Sequence, residues 1–310
     1  MNEIDLSRFE NSAWAMLPAR VEMMLHQART ISAPLGTLRE VAAADAKVRA
    51  AIRGRNNSDS GGSIARLYLS GPLERHPSLL SLLFGGTSLE LFGVQFAAAV
   101  REPSVKGILI DVDSPGGDVY GLTEMAARIR AARGTKPIIA VANAEAASGA
   151  YWLASQADEV VITPSGQMGS IGVIYVHRDL TAAAAKQGVG FRIFRSSPRK
   201  ADANPYEGLT PAAAKDIQAQ VDAYDQMFVQ DVARGRGVSA ERVRSSFGAG
   251  RMMLAQEAVK AGLADRVETV AQAAARLSRG TVPSRPLGAS RQNNSRALRL
   301  IQLGALGPRA

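Results

Sequence analysis

The sequence predicts an α/β fold built on a largely parallel sheet. Two observations carry this. Short apolar runs of strand length, such as KGILID (106–111) and PIIAVA (137–142), alternate with segments patterned for helix. Those runs are apolar at successive positions rather than every second one, as in strands covered by helices on both faces. A chain of 310 residues is long enough to bury a substantial core around such a sheet.

Taken in order, residues 1–55 are predicted to be a mostly helical extension, with apolar residues at helical spacing over 16–28 and 38–52. NNSDSGGS (56–63) reads as a linker. The main domain is expected over 64–279, with strands at 65–70, 106–111, 137–142, 159–163, 171–176 and 191–195. Helices are expected between them at 88–101, 120–133, 148–157 and 180–187. Beyond Lys200 the chain reads as helical. Thr210 is an N-cap followed by Pro211 at the first helical position, opening a helix to about Arg234. Shorter helices are expected at 239–247 and 254–261. From 280 to 310 the pattern dissolves into Gly, Pro, Ser, Asn and Arg, a flexible basic tail.

Composition narrows the function. The chain has no cysteine, which excludes disulfides, a thiolate nucleophile and zinc–thiolate sites and fits a reducing compartment. Its most apolar stretch, 79–100, is broken by Gly85, Gly86 and Glu90, so no membrane span is expected. The opening MNEIDLSRFE has acids where a secretory leader carries positive charge. The expected location is cytoplasmic. The net charge is +9, but seven arginines with no acid lie from Arg276 onward, leaving +2 for the rest of the chain. A nearly balanced body with a basic tail does not read as a nucleic-acid-binding fold.

Three segments are candidates for chemistry. Asp113-Ser114-Pro115-Gly116-Gly117 follows the strand KGILID, where a Pro-Gly-Gly turn can present consecutive N–H groups as an oxyanion hole. It also reads as an ordinary strand-to-helix turn. Ser148, in AEAASGAY (144–151), follows the strand PIIAVA and opens a helix at the sheet edge where open α/β folds bind ligands. A plain N-cap serine fits the same pattern. Lys200, in SSPRKAD (196–202), can act as a general base once burial or a neighbouring cation such as Arg199 lowers its pKa; otherwise it is a solvated loop lysine. Of the three histidines, only His177, after GSIGVIYV, stands where an alternative base is plausible.

Together these segments resemble the SppA-like signal peptide peptidase family of serine proteases and its branch of phage minor capsid proteases. The resemblance rests on five ordered motifs over about 65–270: KGILIDVDSPGG (106–117), AASGAYWLAS (146–155), ADEVVITPSGQMGSIGV (157–173), SSPRKADANPYEGLTP (196–211) and GRMMLAQEAVKAGLADRV (250–267). It implies a Clp protease/crotonase-like spiral of ββα units, with a helical N-terminal extension and a helical C-terminal part. It further implies a Ser–Lys dyad of Ser148 and Lys200, an oxyanion hole at Gly116, Gly117 and Gly149, and substrate contacts at Tyr151, Met168, Gly169 and Ser170. No metal or cofactor is expected.

The partners implied are peptide and protein substrates, among them capsid, portal or scaffold proteins in host cytoplasm or an assembling phage head, and further copies of the chain. Small residues around Ser148 suggest small residues at the cleavage site. No membrane anchor is expected, where bacterial members of the family commonly have one, and Leu254-Ala255 stands where the family commonly has Thr-Gly. Three other readings remain open. One is a bacterial signal-peptide-degrading peptidase. Another is a crotonase-type acyl-CoA enzyme using Glu145 for acid–base work. The third is a structural head component with little activity.

Overall fold

The computed structural model describes residues 13–16, 64–76 and 85–282. In chain order the elements are β1 (Ala13–Met16), β2 (Ile64–Ser70), β3 (Leu73–Glu74), β4 (Thr87–Ser88), α1 (Leu89–Arg101), β5 (Gly107–Ser114), β6 (Gly116–Asp118), α2 (Leu122–Ala131), β7 (Ile138–Ala147) and α3 (Gly149–Ala154). They continue as β8 (Glu159–Ile162), β9 (Gln167–Gly169), β10 (Ile174–Tyr175), α4 (Thr181–Lys186), α5 (Pro211–Arg236), α6 (Ala240–Ser246), β11 (Met252–Leu254), α7 (Ala255–Ala261), β12 (Arg266–Val267) and α8 (Val270–Ser278).

The main sheet is mostly parallel. β2, β5 and β7 lie side by side, with Ile110 opposite both Leu67 and Ala140. β7 then forks. Its first half, Ile139–Ala142, pairs with β8, and β8 in turn with β12. Its second half, Glu145–Ala147, pairs with β9, which runs antiparallel to β11. A second, smaller sheet has the order β10-β1-β6-β3-β4.

The apolar runs are buried on both faces, as expected. Ile108, Ile110 and Val112 of β5 and Ile138, Ala140 and Ala142 of β7 join the large core that also holds residues of α1, α2, α3 and α5. Leu109, Ile139 and Val141 point the other way, against Ala273 and Leu277 of α8. The period of two in a strand sorts one sequence run onto two helical layers.

Local signals set the helices. Ser88 caps α1 by accepting from the Leu91 N–H, and Leu89, Phe92, Phe96 and Val100 form its buried stripe. Thr210 caps α5, Pro211 opens it, and Gly237 in the left-handed conformation ends it. α8, which the sequence reading did not anticipate, is set by a Thr269/Gln272 capping box.

Several expectations need correction or fall elsewhere. The strand expected at 171–176 shrinks to Ile174–Tyr175, and the one at 191–195 does not form. Strand-prone residues without a neighbouring edge to pair with stay irregular. The helix expected at 148–157 is only Gly149–Ala154. In the N-terminal extension, residues 13–16 are a strand; otherwise the helical expectations for 16–28 and 38–52, the linker 56–63 and most of the tail, 283–310, lie outside the described residues.

Residues 174–212 contain no buried residue. This arm carries the exposed apolar side chains Val176, Val189, Phe191, Phe194, Tyr206 and Leu209. Phe191 and Tyr206 pack on each other, with ring centroids 4.1 Å apart.

At the opposite extreme, all six residues of α3 are buried. Trp152 stacks on Phe228 of α5, with ring centroids 4.4 Å apart at 8°. Its indole N–H donates to Asp231 Oδ2 at 2.9 Å. Arg133, itself buried, donates to the carbonyls of Gln156 at 2.7 Å and Gly235 at 2.9 Å, tying the chain after α3 to the end of α5. Replacing a stacked core ring leaves a cavity that rigid neighbours cannot fill. Phe228→Ala is expected to cost about 3–5 kcal/mol, read as a lower urea midpoint at unchanged m-value.

Candidate active site

Ser148 stands between the end of β7 and the first residue of α3. Its backbone is at φ 51°, ψ −119°, a region that a residue with a Cβ adopts only when its surroundings impose it. Two hydrogen bonds and one strand pairing impose it here. The Ser148 N–H donates to the Gly169 carbonyl at 2.8 Å, its own carbonyl accepts from Trp152 N–H at 2.9 Å, and β9 fixes Ala147 opposite Gly169. The hydroxyl makes no capping bond to the helix; it points to the Gly172 carbonyl at 3.4 Å. An ordinary N-cap serine would spend its oxygen on the helix amides, so the N-cap alternative does not describe this residue.

The Gly116–Gly117 turn lies beside it. Ser114 is opposite Ala146 in the β5–β7 pairing, and the two chains leave the sheet there, one into β6 and the other into the Ser148 turn. Gly116 has φ 95°, and its N–H donates to Ser114 Oγ at 3.2 Å. A Cβ on Gly117 would stand 1.9 Å from the Leu73 carbonyl oxygen, so only glycine lets β6 approach β3. Gly149 is the first residue of α3, and its N–H is one that the helix geometry leaves without an internal partner.

The other sequence candidates are placed as follows. Tyr151 is fully buried and donates its phenol to the Leu263 carbonyl at 3.0 Å. Met168 is buried in β9 between Ala146 and Met253. Gly169 and Ser170 flank the Ser148 turn, and Ser170 N–H donates to the Arg251 carbonyl at 2.9 Å. Glu145 accepts from Gln167 Nε2 at 3.3 Å across the β7–β9 pair. His177 follows β10 and is half-buried; its ring nitrogens have no hydrogen-bond partner among the described residues.

Lys200 is on the arm, exposed, its backbone N–H bonded to the Ser197 carbonyl. Arg199, the cation beside it, is held by Asp202 at 2.8 Å and by Asp216. Ser148 and Lys200 are therefore not hydrogen-bonded to each other in the single chain. Arg199 and Asp202 line a cavity of about 500 Å³ with Tyr120, Tyr175 and Tyr224, so the lysine turn lies near the β10 end of the small sheet. The sequence reading missed β1, which pairs with Gly116–Asp118 on one side and Ile174–Tyr175 on the other.

The strain at Ser148 has a measurable consequence. Glycine tolerates φ 51°, ψ −119° without the Cβ penalty. Ser148→Gly is expected to stabilise the fold by about 1 kcal/mol, seen as a higher urea midpoint, whereas an unstrained serine would give a loss.

Residues 130–282 match peptidase family S49. The chain is 37% identical over 204 residues to the capsid assembly protease C of Escherichia phage lambda, a match covering 66% of this chain and 46% of that protein. It is 32% identical over 204 residues to the head-tail preconnector protein GP5 of Enterobacteria phage P21, covering 66% and 40%. It is 29% identical over 222 residues to protease 4 of Salmonella typhi, covering 70% and 35%. The chain thus spans less than half the length of each of these relatives. The family match takes in the Ser148 turn, both branches of the forked strand and the arm with Lys200, and on this agreement residues 130–282 are a peptidase family S49 domain.

Proposed function

We propose that the chain is a serine endopeptidase with Ser148 as nucleophile and Lys200 as general base, acting on head proteins of an assembling phage. The observation that carries the reading is the Ser148 turn. A strained serine with its hydroxyl turned away from helix capping, beside glycine backbone and a helix N-terminus, has the form of an activated nucleophile. The names of the two phage relatives, a capsid assembly protease and a head-tail preconnector protein, support proteins of the phage head as substrates.

In this mechanism Lys200, as general base, takes the Ser148 hydroxyl proton as Oγ attacks a peptide carbonyl. The N–H groups of Gly117 and Gly149 hold the oxyanion, and the leaving amine receives the proton. A water activated by Lys200 then releases the acyl group and restores Ser148. Neither step calls on a metal or cofactor.

The exposed lysine points to assembly. An arm with no buried residue and six exposed apolar side chains needs a covering surface. A second copy of the chain supplies it, and the dyad closes when Lys200 of one copy meets Ser148 of another. The family resemblance allows dyads within or between chains; the exposure of Lys200 favours the second.

The test is casein hydrolysis by wild type and variants, with products read by mass spectrometry. Ser148→Ala and Lys200→Ala are each expected to lose roughly 10³-fold or more, while His177→Ala keeps its rate. Mixing the two inactive variants is expected to restore activity, because mixed assemblies pair an intact serine with an intact lysine. An inactive His177→Ala beside an active Lys200→Ala would replace the base. An inert wild type would favour a structural head component.

A further inference from the structure

The small sheet holds a slot that receives one strand. β6 is paired with β3 on one edge, and its other edge faces β1. β10 pairs with β1 and with no other strand among the described residues. Without β1, two edges would face each other across a gap one strand wide. Each edge is tied to Ser148. β6 follows Ser114, which is opposite Ala146, and β10 begins two residues after Gly172, whose carbonyl takes the Ser148 hydroxyl.

Register fixes what sits at the nucleophile. In the antiparallel pairing with β6, Ala15 is opposite Gly117 and Met16 opposite Gly116. With β10, Ala13 is opposite Tyr175 and Trp14 opposite Ile174. Continued two residues, the same register sets Met16 against Gly172. Met16 therefore lies between the glycine turn and the carbonyl bonded to Ser148, and it is only 2% exposed. Ser148 is itself only 1% exposed.

We infer that residues 13–16 are a tethered peptide occupying the substrate cleft, with Met16 in the position of the residue whose carbonyl Ser148 attacks. The assignment rests on Ser148 being the nucleophile. It defines the ligand class as an extended peptide, bound by main-chain pairing on both edges, with an unbranched apolar residue of methionine size next to the scissile bond. That residue is larger than the small ones suggested by the neighbours of Ser148. It also makes the N-terminal segment an internal competitor, which an external substrate must displace.

The experiment uses the full chain with Ser148→Ala, so that no readout needs catalysis. Trp14→Pro with Ala15→Pro removes the N–H donors of two successive residues, one facing each edge. Amide exchange at Gly116–Asp118 and Ile174–Tyr175 is expected to rise at least about tenfold, with the sheet amides of β5 and β7 unchanged as the control for folding. A synthetic peptide of residues 11–18 is expected to bind the proline variant and not its parent, and the same peptide carrying Met16→Asp is expected not to bind. Unchanged exchange in both strands, or equal peptide binding with and without the prolines, would overturn the inference. If these results hold while the Ser148-intact chain never cuts casein, the peptide slot stands and the protease reading fails.

Discussion

The structure depends on the burial of one short helix. α3 is six residues long, too short to be stable alone, yet it fixes the conformation of the strained residue before it. It does so because every one of its residues is inside the core. Trp152 lies between the helix and α5, its ring against Phe228 and its indole N–H on Asp231. Asp231 is itself held by Arg130 and Arg234, so the carboxylate is buried with its charge balanced rather than orphaned. Arg133 then gathers the carbonyls at the helix end. A φ of 51° at Ser148 is tolerable only because this packing leaves the turn nowhere else to go.

Much of this was legible in the sequence. KGILID and PIIAVA became β5 and β7 because apolar runs of that length, flanked by turn residues, have few alternatives to a buried strand. Ser148 and the glycine turn both stand just after such strands, where a parallel sheet presents loops at one edge, and that placement alone singles them out in the sequence. The arm was misread in part. FRIFR has the composition of a strand, but strand formation needs a partner edge, and the described residues offer it none. β1 was hidden for the converse reason. AWAM has little intrinsic preference for a strand, and its conformation comes from two edges one hundred residues or more away in sequence. No window along the chain contains that information.

Lys200 shows a different limit. Its motif context singled it out, and its distance in sequence from Ser148 is no obstacle in a fold that forks and returns. What the sequence could not convey is that the segment carrying it contributes nothing to the core. Ser148 is set by the most constrained part of the molecule and Lys200 by the least. Residues with few buried neighbours open at low free energy, so the two proposed partners differ sharply in how firmly one chain can hold them.

The fork in β7 separates two properties that usually travel together. Residues 139–142 are locked to β8 and belong to the hydrophobic core, whereas 145–147 are locked to β9 and set the Ser148 turn. Asn143 and Ala144, between them, are exposed. Because a strand turns each successive side chain to the opposite face, a single inserted or deleted residue at this joint would rotate the half that carries Ser148 out of phase while the other half kept its place. One insertion or deletion at 143–144 could therefore erase the Ser148 geometry in a single step and leave the fold standing.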